Sequence, residues 1–211
     1  MELALLDEIN AARTNPRAYA QALRGEIVRF HDLIYQSPGH EDLETVEGAA
    51  AVKEAIADLE ARAPAPPLTA DSAIAQAAFR LVADQGHKGG VGHVDSRNAR
   101  LSDRLEAAGV WANTMAEDIA YGPSEPREAV RELIVDDGVP DRAHRKAIFD
   151  ATLTRVGYAG GPHPEMGWVW VIDFTSPTMP ANKVKSAAVR TPGSHEAGDA
   201  LKSGEQTASN R

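Results

Sequence analysis

Cysteine is absent from all 211 residues. That excludes a disulfide framework, a thiolate metal site and a cysteine nucleophile. It leaves the compartment open, because many exported bacterial proteins also lack cysteine. Long apolar runs are missing too. No window reaches the ~18–20 consecutive apolar residues of a membrane-spanning helix. The opening, MELALLDEIN, carries acids where a secretory leader would carry bases and then an apolar run. Either the protein stays in the cytoplasm or a leader has been removed. Net positive charge is lacking as well. A net charge of −9 at neutral pH argues against a nucleic-acid surface and against binding anionic membranes by charge alone. There is no His-Glu-x-x-His, no Gly-x-Ser-x-Gly and no phosphate-binding glycine loop ending in Lys-Ser or Lys-Thr, so the common hydrolase and nucleotide-enzyme readings are disfavoured.

What remains is an ordinary soluble composition, 43% apolar and 25% charged, with length for one to two domains. The spacing predicts a helix over 2–14, with Leu3, Leu6, Ile9 and Ala12 as its apolar face. Asn15-Pro16 ends or kinks it. Pro16 opens a short helix to about Arg24. Residues 25–48 read as helix plus irregular loop, 48–62 as a helix striped by Val52, Ile56 and Leu59, and 63–67 as a stiff connector. Leu68 packs the entry to the next helix, which Thr69 or Asp71 caps and which buries Ile74, Ala78, Leu81 and Val82. The glycine-rich stretch Gln85–Gly92 ends it. A short helix over 97–108 places Leu101, Arg104 and Leu105 at i, i+3 and i+4. Val110–Tyr121 reads as a strand, Pro126–Asp136 as a helix and Ala143–Phe149 as a helical turn or two. Arg155–Ala159 and Trp168–Thr175 read as strands joined by a GGPHPEMG hairpin loop. Residues 179–211 contain no aromatic residue and hold five bases against three acids, so the negative charge belongs to the body before them. Residues 178–211 read as a disordered tail.

The chemistry gathers between Met115 and Tyr158, with His93 upstream. Glu117, Glu132, Asp136, His93 and His144 form a candidate set of imidazoles and carboxylates around one cleft. Strict alternation points Glu117 to the side of Met115 and Ile119. If that side is buried, a lone acid there is costly and needs a partner, a histidine or Arg145. Arg145 itself reads as a structural ion pair, and His163 as an exposed, idle loop residue. Trp168 and Trp170 read as strand packing. His31, His40, His87 and His195 show no partner pattern, although His87 lies close enough to His93 to serve as a reserve ligand.

Several signals follow in a fixed order. They are Asn10-Ala-Ala-Arg13, Leu68-Thr69, Gly92-His93, Leu101-Ser-Asp-Arg104-Leu105, Ala116-Glu117-Asp118-Ile119-Ala120, His144-Arg145, Arg155-Val-Gly157-Tyr-Ala159 and Trp168-Val-Trp170-Val. Together they resemble the CAP (sperm-coating-protein-like, SCP) domain of cysteine-rich secretory proteins, venom allergens and plant pathogenesis-related proteins. The resemblance covers most of residues 1–177, with 25–62 as an insert. It departs from the family where Gly-Glu-Asn-Ile becomes Ala116-Glu117-Asp118-Ile119, where Gly-His-Arg becomes Ala143-His144-Arg145, and where a helix tryptophan becomes Leu133.

The resemblance implies an α+β fold, a three-layer α–β–α sandwich around a small, mainly antiparallel sheet. It implies a metal set of His93, His144, Glu117 and Asp136, with Glu132 competing for the last place. Zinc would suit such imidazole and carboxylate donors, and an open zinc position would lower the pKa of a bound water. No nucleotide or organic cofactor is implied. Without metal, His93, Glu117 and His144 remain catalytic candidates, a Glu–His pair acting as base and orienting group for a water. The plain alternative is that both histidines only staple loops to the sheet. In function, the resemblance implies an exported binding or interaction module, extracellular or periplasmic, that takes a protein partner or a small apolar or lipid ligand. A weak metal-dependent, protease-like hydrolase is the second reading, and a domain with a vestigial site is the third.

Overall fold

Residues 2–36 and 42–179 are described by a computed structural model. The expected tail lies outside the described residues from 180 onward, as do His40 and His195.

The first helix, α1 (Glu2–Thr14), forms where the periodicity places it. Its buried line is Leu5, Ile9, Ala12 and Arg13, with Leu6 only partly buried. The face is turned from the expected one because Arg13, one turn after Ile9, points inward. Asn15 accepts a hydrogen bond from the Ala18 amide and Pro16 takes the first position of α2 (Pro16–Leu23). A 3-10 turn (Arg24–Arg29) leads into a feature that composition did not announce. Three two-residue strands, β1 (Phe30–His31), β2 (Ile34–Tyr35) and β3 (Leu43–Glu44), pair antiparallel where helix and loop were expected. Runs this short carry no readable alternation. The helix α3 (Ala49–Ala61) follows.

The main sheet has the order β4–β6–β7–β5. The strands are β4 (Thr69–Ala70), β5 (Met115–Tyr121), β6 (Arg155–His163) and β7 (Gly167–Thr175). Only the β4–β6 pairing is parallel. Three strand bounds differ from expectation. β5 starts at Met115 rather than Val110, the small strand β4 was not foreseen, and β6 runs on through Gly160–Gly161–Pro162 to His163. Gly160 explains the last difference. A Cβ there would lie 2.6 Å from the Trp170 ring, so the missing side chain makes room for tryptophan across the ladder rather than marking a turn.

On one face of the sheet lie α4 (Ser72–Lys88) and α5 (Leu101–Ala107). Asp71 is the cap of α4, accepting from the Ala73 and Ile74 amides at 2.9 and 3.4 Å. Gly157 brings α4 onto β6, since a Cβ there would sit 2.0 Å from the Ala75 amide nitrogen. The other face is covered by α1, α2, α3, α6 (Pro126–Val135) and α7 (Ala143–Phe149). Their largest cluster includes Leu5, Ile9, Leu59, Ile134, Trp170 and Phe174, all nearly inaccessible. Each such aliphatic side chain contributes about 1.5–3 kcal/mol by burial. The result is the expected α–β–α sandwich, mainly antiparallel.

Candidate functional site

β5 is the edge strand, and it alternates. Ile119 and Tyr121 pack toward α4, while Ala116 and Ala120 pack toward α1 and α6. Glu117 and Asp118 therefore leave the same strand on opposite faces. Each is the floor of a separate cluster.

On the α4–α5 face, the Glu117 side chain is only 3% exposed. One oxygen meets His93 Nδ1 at 2.9 Å, and the other accepts from Arg104 of α5. Arg104 also donates to the His93 and Ala99 carbonyls at 3.0 and 3.1 Å, which fixes the loop that carries the histidine. The buried acid thus has a histidine partner, as alternation required, and its cation is Arg104 rather than Arg145. Beside it lies Asp173 of β7, directly across the ladder and fully buried. Neither oxygen of Asp173 has a hydrogen-bond partner among the described residues. Two dry carboxyls side by side do not readily both carry charge, so the protonated form of Asp173 is favoured beside Glu117. Burial, and then the Glu117 charge, push Asp173 well above the usual carboxylate range. Burial pushes Glu117 up too, but the His93 hydrogen bond and the Arg104 charge outweigh it and hold Glu117 below its ordinary value.

On the other face, Asp136 takes the left-handed C-cap of α6, φ 58°, one residue past the helix it was expected to end. One oxygen meets His144 Nδ1 at 2.7 Å; the other accepts the His144 and Arg145 amides at 3.0 and 3.3 Å. Glu132, the competing acid, instead pairs with Arg131 at 3.6 Å. Asp118 is buried beneath His144, with one oxygen unpartnered. Burial raises its carboxyl well above the ordinary range. Burial pulls His144 down, but the Asp136 hydrogen bond and the charges of Asp118, Asp136 and Asp141 raise it overall.

The small β1–β3 sheet positions this second pair. Asp137 accepts the Val46 and Glu47 amides at 2.6 and 2.8 Å, and Glu47 accepts the Gly138 amide at 2.9 Å. Arg142 donates to both Glu47 oxygens and to the Asp136 carbonyl. Arg145 holds Glu54 with both terminal nitrogens, the structural pair expected of it. Glu47 is pulled down to about 2, first by its Arg142 bond. Its contribution is therefore complete above its ordinary 4.5 and is lost as pH falls toward 2. Glu47→Gln is expected to melt below wild type at neutral pH, with a gap that narrows below pH 4.5 in a pH series of thermal melts.

His163 corrects the sequence reading. It is 3% exposed, meets the Gly90 carbonyl at 2.8 Å through Nε2, and accepts the Glu165 and Met166 amides through Nδ1. It pins the hairpin turn to the glycine loop before His93. His87 is exposed and joins neither cluster. Three members of the site escaped notice, Asp118, Arg104 and Asp173, and the last two had a signal. Arg104 sits on the apolar stripe of its helix, and Asp173 alternates with Val169 and Val171 on a buried face.

The four residues of the implied metal set thus stand as two pairs, His93–Glu117 and His144–Asp136. Among the described residues, no three His, Asp or Glu side chains group so as to hold a metal ion. The carboxylate oxygens are already engaged, by Arg104 on one face and by amides on the other. The set as arranged does not fit one shared ion. Both imidazoles do keep Nε2 unengaged among the described residues, because the carboxylate takes Nδ1.

A separate groove of about 340 Å³ lies between α1, α2 and α6, bordered by Tyr19, Arg127 and Arg131.

Residues 6–174 match the CAP family, described as the cysteine-rich secretory protein family. No curated protein matches the chain. Among solved structures it is similar to an extracellular SCP-domain protein of Bacillus anthracis, at 18% identity and TM-score 0.46 over 61% of this chain. It is also similar to an outer surface protein of Borrelia burgdorferi, at 16% identity and TM-score 0.44 over 53% of this chain. A cysteine-rich secretory protein of Staphylococcus aureus gives 15% identity and TM-score 0.42 over 68%. The chain spans 38%, 79% and 46% of these three proteins respectively. With the ordered motifs on the sandwich and the family match running from α1 into β7, this cysteine-free chain belongs to the CAP family.

Proposed function

We propose that the protein is an exported binding module that uses His93 and His144 as two fixed contact points for a partner or small ligand. One observation carries the reading. Each imidazole is anchored through Nδ1 on a buried carboxylate whose oxygens are already occupied, so the acids orient the rings and the rings face outward. A ring anchored through Nδ1 presents Nε2 to a partner at little ordering cost, as acceptor when neutral and as donor when protonated.

A metal-dependent hydrolase using His93, His144 and Glu117 is the second reading. The observation in its favour is the same carboxylate–histidine pairing, which in metal sites orients a ligating imidazole from behind. Zinc calorimetry in a pH series running upward from about 7.5 separates the two, because a ring must give up its proton to ligate zinc and His144 is raised above its ordinary value. The binding-module reading expects no one-to-one zinc site that depends on both rings. Stoichiometric binding abolished by His93→Ala and by His144→Ala alike would overturn it in favour of the hydrolase. Export is checked by fractionating cells of the source organism; recovery in the cytosol alone would remove that part.

A further inference from the structure

The two histidine clusters flank an open backbone edge. Gly122 donates to the Trp168 carbonyl and Ser176 to the Thr114 carbonyl, both at 2.9 Å, one rung at each end of the β5–β7 ladder. In an antiparallel pair the bonded rungs recur at every second residue. Ala116, Asp118 and Ala120 therefore bond β7, while the N–H and C=O groups of Met115, Glu117, Ile119 and Tyr121 point away from it. β5 is last in the sheet order, and among the described residues no backbone group pairs with it on that side. Glu117 as a residue is half-buried although its side chain is 3% exposed, so its accessible surface is main chain.

From this edge we infer that the partner is an extended peptide that adds to β5 as a further strand. The inference rests on the binding-module reading and names the occupant of that site. An added strand would bond the outward groups of Met115, Glu117 and Ile119 and send its side chains alternately to the two faces. One set would meet His93, which is 57% exposed, and the other His144, which is 23% exposed. The chemistry of the peptide follows from charge. On the His93 side the Arg104 and Glu117 charges cancel. On the His144 side Asp136 meets the ring at 2.7 Å while Arg142 is paired with Glu47 and Arg145 with Glu54, and the whole chain carries −9. The fitting peptide carries Lys or Arg at the alternate positions facing His144, and no proline where its own N–H must bond. A second copy of this chain fits poorly, since two such acidic edges repel.

The test is selection from a displayed library of random octapeptides, followed by synthesis of the selected sequence. N-methylation at every second residue removes one backbone donor at a time. The expected result is a loss of about tenfold in affinity at each inward-facing position and little change between them. Bases should recur at alternate positions. Met115→Pro is expected to weaken binding while keeping the fold, because it deletes an N–H that the β7 ladder does not use at a residue 37% exposed. If that variant unfolds, the N-methyl series alone decides. Affinity indifferent to N-methylation, a library that yields no binder, or a β5-to-β5 dimer in light scattering would each overturn strand addition. Binding that needs His93 or His144 but ignores N-methylation would overturn strand addition alone and leave the binding module standing.

Discussion

Arg104→Ala is expected to lower the unfolding free energy by about 3–5 kcal/mol, read as a fall in the urea midpoint at unchanged slope. The guanidinium is 2% exposed and is the only cation hydrogen-bonded to Glu117 among the described residues. Without it a buried carboxylate stands against the buried acid Asp173, and the loop carrying His93 loses its bonds to Arg104. Such a change is large because the partner left behind is still charged and still dry. A control isolates that cause. Glu117→Gln in the Arg104→Ala background should recover part of the loss, since a neutral amide needs no counter-charge. The double variant should therefore be more stable than the two single effects added together. Strict additivity would mean that the two side chains do not act as a pair.

Arg13→Ala is expected to cost a similar amount, about 3–5 kcal/mol. At roughly 2–4 °C per kcal/mol for a domain of this size, the melting temperature should fall by about 10 °C. Arg13 is fully buried. Four hydrogen bonds run from it to the carbonyls of Pro66, Ile148, Asp150 and Leu153, at 2.5–3.1 Å. Removing the fork strands several buried acceptors at once. Arg13→Lys should rescue little, because one ammonium with three donors cannot replace a fork that bonds four carbonyls. Stability of the lysine variant equal to wild type would show that charge rather than geometry matters there.

The sequence was most readable where one period governs a long segment. α4 and its burial of Ile74, Ala78, Leu81 and Val82 followed from spacing, as did the edge of tryptophans in β7. It was least readable where a residue answers to something distant. Arg13 was placed on a helix but not inside it, because three of its four partners lie 135–140 residues away. Gly160 reads as a turn former until Trp170 is set across from it. His163 reads as a loop residue for the same reason. The candidate site was half legible. Its histidines and acids carry a positional signature, and Glu117 had to have a partner. Which partner it was, and that Asp173 lay alongside, depended on the β5–β7 register, which no local pattern specifies. Asp136 and Glu132 are one helical turn apart, and only the left-handed cap separated them.

The Arg13 cage also sets when the chain can fold. The first helix completes its bonds only when residues 148–153 arrive, and β4 pairs in parallel with β6, whose first residue is Arg155. β6 in turn needs β7, which ends at Thr175. Contacts this far apart are slow to form, since a long loop must be closed before any of them is gained. A ribosome must therefore deliver nearly the whole domain before its core can assemble. Until then the bonds of Arg13 to residues 148–153 cannot form. With no cysteine in the sequence, no disulfide step is added to that wait.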